Sequence, residues 1–294
     1  MFDYKLIKAM ATVVLEQGFE KAAQKLYISQ SAVSQRVKLL EEQTGRVLLV
    51  RSNPPVPTDA GRLILKHYQQ VMSLEKGMVE MLDQDSQSTF VPLTIGLNAD
   101  SLATWFVEAV VPLLLTEQVT LDLLVDDQEQ TLSYLKAGEV MGCVSSHARP
   151  VQGCTMHHLG TMHYRLLATR DFCTTWFPEG LTTEAAAEAP AVVFNRKDGL
   201  HQRLLEEILT EVPSHFPVHY IPSSEQFVEL IRKGQAYGSV PDLQGRQYLL
   251  SQELVELVAE KAYPVPLFWH VWSHRSRLLE KITKILTRAG CVIF

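Results

Sequence analysis

Apolar residues early in the chain recur at helical spacing. From Asp3 to Gln17, Leu6, Ile7, Met10, Val13 and Val14 fall at steps of three and four, one face of a helix, and Gly18 is expected to end it. A second short helix, Glu20 to Leu26, carries Ala22 and Ala23, small enough to let another helix approach closely. Ser29 predicts an N-cap for a third helix, Gln30 to about Thr44, closed by Gly45. At about 100° per residue, Val33, Val37 and Leu40 form its buried stripe. Ser31, Gln35 and Lys38 point the other way, with Ser34 and Arg36 on the flanks.

Val47 to Val50 reads as a short strand, and Arg51 to Pro57 as a proline-rich extended loop; together they make a wing. Thr58 then caps a longer helix along which Ile64, His67, Val71, Leu74, Met78 and Met81 alternate steps of three and four. That is heptad spacing, which suits a helix pairing with its own copy; packing on its own chain fits the same run. The polar segment Gln84 to Thr89 (QDSQST) reads as a linker.

Beyond the linker, short apolar strands alternate with helices. Leu93 to Leu97, Val119 to Val125 and Val140 to Ser145 read as strands, with helices at Thr104 to Leu115 and Glu129 to Ala137. The pattern restarts with strands at Ala191 to Phe194, Val218 to Ile221 and Ala236 to Val240 and helices at Leu200 to Leu209 and Gln226 to Arg232. Such alternation predicts doubly wound parallel sheet, here as two α/β lobes with a cleft between them. A strand at Leu267 to Trp272 and a helix from about Ser276 to Arg288 return to the first lobe.

Composition changes this picture in three ways. Of 294 residues 46% are hydrophobic and 20% charged, enough for packed cores. Uninterrupted apolar runs are short, as in Ala109 to Leu115 with seven residues, whereas a membrane span needs about 20. The N-terminus lacks the apolar core and cleavage site of a signal peptide. A cytoplasmic protein without a membrane segment is therefore expected. Second, the net charge of −6 is unevenly spread: residues 1–66 hold ten Lys or Arg against six Asp or Glu, while residues 67–294 hold 17 against 27. A basic N-terminal module joined to an acidic one follows. Third, Cys143, Cys154, Cys173 and Cys291 show no C-x-x-C pair, so neither a zinc site nor a disulfide scaffold is expected.

Short polar and cationic side chains on the third helix suit a DNA major groove, where Gln, Ser and Arg read base edges and Lys neutralises phosphate; an ordinary solvated face has the same composition. In the second module, ligands are expected outside the carboxyl ends of the strands. Four segments lie there: Asn98 to Ser101, Asp126-Asp127, Ser145-Ser146 and Asn195 to Asp198. Ser101 stands near a helix start, whose N–H groups favour a carboxylate, and Asp100, Asp126 and Asp127 are placed to meet a cation. An amino acid with a cationic side chain suits both; so does a simple cap beside a solvated acidic pair.

FEKAAQKLYISQSAVSQRVKLLEEQTG, followed by LLVR, the proline-rich wing and the long helix, resembles the winged helix-turn-helix of LysR-type transcriptional regulators. The resemblance implies a DNA-binding homodimer or tetramer, acting on double-stranded DNA and in contact with RNA polymerase. It makes Gln30, Ser31, Ser34, Gln35, Arg36, Lys38 and the wing residue Arg51 candidate DNA contacts. Ser31 departs from the general pattern, where many members carry proline. SQSAVSQRV, RSNPPVPT, GLNADSLATWFVEAVVPLL, VDDQEQT, GEVMGCVSS, IPSSEQFVELIRKG and VPDLQ are similar to one branch, the arginine/lysine-responsive ArgP subfamily.

That similarity implies control of basic amino acid export or biosynthesis, with lysine or arginine as co-effector and no other cofactor. The alternative is the same family with a different effector. Candidate effector contacts are Asn98, Asp100, Ser101, Asp126, Asp127, Ser145 and Asp198. The expected organisation is a winged helix-turn-helix at 1–58, a linker and dimerisation helix at 59–89 and a two-lobed α/β effector domain, like a periplasmic binding protein, at 90–294. No enzyme is expected: G-x-S-x-G, H-E-x-x-H, P-loop and G-x-G-x-x-G motifs are all missing. His157, His158 and His163 have no partner at metal-ligand spacing, so no metal is expected. The terminal Cys291-Val292-Ile293-Phe294 fits a prenylation pattern but reads as an apolar tail packed on the domain.

Overall fold

The computed structural model describes residues 3–82, 90–127, 130–273 and 276–294. These fall into two compact units, one of Met1–Thr89, Ser133–Met141 and Ser273–Glu280, the other of Phe90–Leu132, Gly142–Trp272 and Lys281–Phe294.

The first unit opens with three helices, α1 (Tyr4–Leu15), α2 (Phe19–Leu26) and α3 (Gln30–Thr44). The Asp3 side chain accepts from the Lys5 N–H to cap α1. Ser29 caps α3 through the Ala32 N–H at 3.2 Å, and Gly45 ends it at φ 64°. Between α1 and α2 the left-handed residue is Gln17 (φ 54°), not the expected Gly18, whose φ of 174° is extended and which caps α2. One residue of slippage leaves the turn intact because a polar side chain tolerates that conformation in solvent.

Ile7, Met10, Val13, Ala22, Val33, Val37 and Leu40 are sealed into one core. Each large one contributes about 1.5–3 kcal/mol by leaving water. The wing is a two-stranded hairpin, β1 (Leu49–Val50) on β2 (Val56–Pro57), shorter than the predicted Val47 to Val50 strand. The Glu41 carboxylate of α3 ties its base down by accepting from the Leu48 and Leu49 N–H groups at 2.8 and 3.3 Å.

The long helix α4 (Asp59–Leu82) starts at Thr58, whose hydroxyl accepts from the Gly61 N–H at 3.1 Å. The heptad series divides here. Ile64 packs on the helix-turn-helix core of its own chain, and His67 Nε2 lies 3.0 Å from the Tyr4 hydroxyl. Leu74 is exposed, while the Met78 and Met81 side chains and the QDSQST segment lie outside the described residues. A Cβ at Gly61 would stand 2.1 Å from the Leu48 carbonyl oxygen. We therefore expect Gly61→Ala to lower the denaturation midpoint of the helix-turn-helix unit, although alanine alone favours a helix by about 1 kcal/mol. Far-ultraviolet circular dichroism in urea reads this; a midpoint unchanged or raised contradicts the close approach.

The second unit is built on one mixed sheet. Its strands are β3 (Val91–Asn98), β4 (Val119–Asp126), β5 (Gly142–Ser145), β6 (Cys154–Ala168), β7 (Ala191–Val193), β8 (Val218–Tyr220), β9 (Tyr237–Pro241), β10 (Val255–Glu256) and β11 (Tyr263–Trp272). They run in the order β4-β3-β5-β11-β6-β9-β7-β8, with β10 beside β6. At each end three strands are parallel, β3 with β4 and β5, and β7 with β8 and β9. These are the two expected lobes. The all-parallel expectation fails in the middle, where β11 is antiparallel to β5 and β6, and β6 to β9. The 15-residue β6 has no sequence-predicted counterpart, since its histidines interrupt the apolar run.

The helix after β3 begins five residues earlier than predicted and runs Ala99–Thr116, with a π-helical stretch at Leu102–Phe106. It is long and apolar enough in composition to cross a membrane. Here it packs Trp105, Phe106, Val110 and Leu113 into the core. The final helix, Arg277–Ile293, is followed by Phe294, whose ring stacks edge-on to Trp105 at 6.0 Å.

Candidate functional site

On α3 the burial of Val33, Val37 and Leu40 turns Gln30, Ser31, Gln35 and Lys38 outward, and leaves Ser34 and Arg36 half-buried beside them. The Ser29 and Ser31 hydroxyls are 2.9 Å apart at the helix start. Lys38 faces Glu42 one turn on at 3.7 Å, an exposed pair that constrains the ammonium little. On the wing, Arg51 is exposed with its guanidinium 6.0 Å from the Phe19 ring centre. All seven residues singled out on this module thus reach the surface at least in part.

In the second unit a pocket opens between the lobes. Asn98, Ala99, Asp100, Asp126 and Asp127 line it from the β3 and β4 ends; Phe194, Asp198, Leu200, Ser224, Phe227, Ser239, Pro241 and Gln244 line it from the other lobe. Four carboxylates face it, and the lining holds no Lys, Arg or His among the described residues. Its free interior is narrow, about 30 Å³.

Asn98 precedes the first turn of the Ala99–Thr116 helix, where backbone N–H groups lack partners within the helix. Its side chain is only 3% exposed and caps nothing; neither its amide nitrogen nor its oxygen has a hydrogen-bond partner among the described residues. Asp100, on that first turn, is held from both sides. The Tyr164 hydroxyl of β6 donates to its Oδ2 at 2.7 Å, and the Ser224 hydroxyl lies 2.7 Å from its Oδ1. Burial first, and then the nearby charges of Asp198 and Glu225, push the Asp100 carboxyl above the usual carboxylate range, against the two hydroxyls, which pull it down. The Tyr164 hydroxyl is pushed well above its ordinary value, by burial and then by Asp100, and stays protonated.

Asp198 caps the Leu200–Ile208 helix by accepting from the Leu200 N–H at 2.8 Å, and Asp126 Oδ1 accepts from the Asp127 N–H at 2.8 Å.

Five of the seven effector candidates therefore line one pocket: Asn98, Asp100, Asp126, Asp127 and Asp198. Ser101 and Ser145 do not. Ser101 is fully buried, because the early helix start turns it into the core. Ser145, at the end of β5, is also buried, and its hydroxyl accepts from the His147 N–H at 3.2 Å. Ser224, Ser239 and Gln244 were not foreseen. Ser224 and Gln244 follow β8 and β9, so the strand-end rule that singled out Asn98 and Asp126 applies to them equally, whereas Ser239 lies within β9. Among the described residues no group of three or more His, Cys, Asp or Glu is arranged to hold a metal ion.

The bacterial regulatory helix-turn-helix protein family, lysR type, matches residues 4–62, and the LysR substrate binding domain matches residues 92–289. The chain belongs to the LysR family of transcriptional regulators. Within that family this regulator is ArgP-like. It is 47% identical over 292 residues to the HTH-type transcriptional regulator ArgP of Pseudomonas aeruginosa PAO1, covering 99% of this chain and 97% of that one. With ArgP of Aeromonas salmonicida it shares 41% over 288 residues, 98% and 96% of the two chains. The crystal structure of ArgP from Mycobacterium tuberculosis superposes with a TM-score of 0.87 at 33% identity, covering 99% and 98%. Full-length LysG from Corynebacterium glutamicum, with its effector Arg bound, gives 0.80 at 32%, covering 99% of each chain.

Proposed function

We propose that this LysR-type regulator reads double-stranded DNA with α3 and takes lysine or arginine as effector in the pocket between its lobes. Gln30, Ser31, Ser34, Gln35 and Arg36 meet base edges or the groove wall, while Lys38 and the wing residue Arg51 meet phosphate. Two copies pair through α4, as a dimer or a tetramer, and the regulator works in the cytoplasm with RNA polymerase. Its targets are genes of basic amino acid export or biosynthesis.

The effector half rests on one observation: among the described residues, four aspartates and a buried asparagine without a side-chain hydrogen bond share a pocket whose lining has no cationic side chain. A cation is the guest such a lining stabilises, because carboxylates in a confined space repel one another until a positive charge enters. Asn98 and the helix start beside it offer donors to an α-carboxylate. Asp126, Asp127 and Asp198 offer acceptors to an ammonium or guanidinium. Bound arginine in LysG, a structure of similar fold, is the same chemistry. Residues of both lobes line the pocket, so the guest binds one arrangement of the lobes better than another, which is a difference in affinity between two conformations and hence a switch.

The test is calorimetric titration of the full chain with arginine, lysine and leucine. Saturable heat from a basic amino acid and none from leucine is expected. Equal binding of leucine, or none of the three, removes the basic effector and leaves the DNA-reading half standing.

A further inference from the structure

The Ser224 hydroxyl has two oxygen neighbours and one hydrogen. It lies 2.7 Å from Asp100 Oδ1 and 3.0 Å from Gln244 Oε1. The Gln244 amide cannot be turned round to help, because its nitrogen donates to the Ser224 carbonyl at 3.2 Å; reversed, it would set oxygen against oxygen. With Asp100 ionised, Ser224 donates to only one of the two acceptors, and the other contact brings two oxygens together with no hydrogen between them. With a proton on Asp100 Oδ1 every contact is satisfied: Asp100 donates to Ser224, Ser224 donates to Gln244, and Tyr164 donates to Asp100 Oδ2 at 2.7 Å.

We infer that Asp100 carries a proton while the pocket holds no effector, and that uptake of a cationic amino acid expels it. The inference rests on the basic-effector reading above. The neutral carboxyl becomes a carboxylate paired with the incoming cation, the O–H bond breaks, and the proton passes to solvent.

Burial and the neighbouring charges act in the same direction, against the Ser224 and Tyr164 hydroxyls, which favour the carboxylate. Asp198 and Glu225 approach from the other lobe, Asp126 and Asp127 share the pocket, and Tyr164, Ser224 and Gln244 supply only neutral groups. Among the described residues no cation lines the pocket to favour the ionised form. Burial pushes the Asp100 carboxyl upward as well. The consequence is a proton that competes with the effector for one site, so that acidification mimics effector shortage.

Full-length protein is titrated with arginine from about pH 5 to about pH 8, in pairs of buffers with different heats of ionisation. On the acid side up to one proton is released per arginine, and Kd rises as much as tenfold for each pH unit lost. On the alkaline side both effects vanish. Tyr164→Phe removes a hydroxyl that favours the carboxylate, so the midpoint of proton release moves to higher pH. In Asp100→Asn, residual binding releases no proton. Arginine binding without proton release across the range, or a midpoint unmoved in Tyr164→Phe, overturns the proton linkage and leaves the basic effector intact. If neither arginine nor lysine binds at any pH, the effector reading falls, and this inference with it.

Discussion

Replacing Asp126 and Asp127 together by asparagine is expected to lower the affinity for the proposed effector arginine by about a hundredfold or more. Each change deletes one negative charge from a confined pocket, and loss of a desolvated charge partner costs about 2–5 kcal/mol. The shape of the site survives, because an asparagine oxygen at position 126 still accepts from the backbone N–H at 127, as Asp126 does at 2.8 Å. Both residues are half-buried, Asp126 ending β4 and Asp127 following it. Calorimetry of the variant with arginine gives the loss, and DNA retention without effector controls for folding. A variant that binds arginine within about threefold of the parent, a difference under about 1 kcal/mol, would place the cation elsewhere in the pocket.

Gln35→Ala is expected to weaken binding to the cognate operator by about 5- to 150-fold, the equivalent of about 1–3 kcal/mol for one base contact, while scrambled DNA is held as before. Gln35 is exposed at the centre of the outward face of α3, opposite the stripe that Val33, Val37 and Leu40 bury. A side-chain amide there can both donate and accept, which is what a base edge presents in the major groove. Lys38→Ala, on the same face, should instead weaken every sequence alike and reduce the slope of log affinity against log salt by about one. Fluorescence anisotropy over a salt series distinguishes the two patterns. Equal losses on cognate and scrambled DNA for Gln35→Ala would make it a backbone contact.

Local chemistry carried much of the N-terminal module. Ser29, Gly45 and Thr58 cap or end helices where they were expected to, since a hydroxyl or a glycine acts on N–H and C=O groups a few residues away. Gln17 shows how fine the remaining ambiguity is: the left-handed residue between α1 and α2 is Gln17 and not its neighbour Gly18. The pocket was half legible. Strand ends named Asn98, Asp126 and Asp198 because a parallel strand must deliver its loop to one side of the sheet. Ser224 and Gln244 obeyed the same rule and lie in IPSSEQFVELIRKG and VPDLQ, but neither carries a charge that would mark it as a contact.

Helical and strand periods, capping residues, charge asymmetry and the helix-turn-helix motif are properties of near neighbours in the chain, and the amino-acid sequence alone determined them. The antiparallel centre of the sheet, the inward turn of Ser101 and the own-chain packing of Ile64 were decided by tertiary structure. So was the meeting of Asp100 with Ser224, 124 positions away. Each of these depends on which distant surfaces exclude water together, and burial of that kind has no local sequence period.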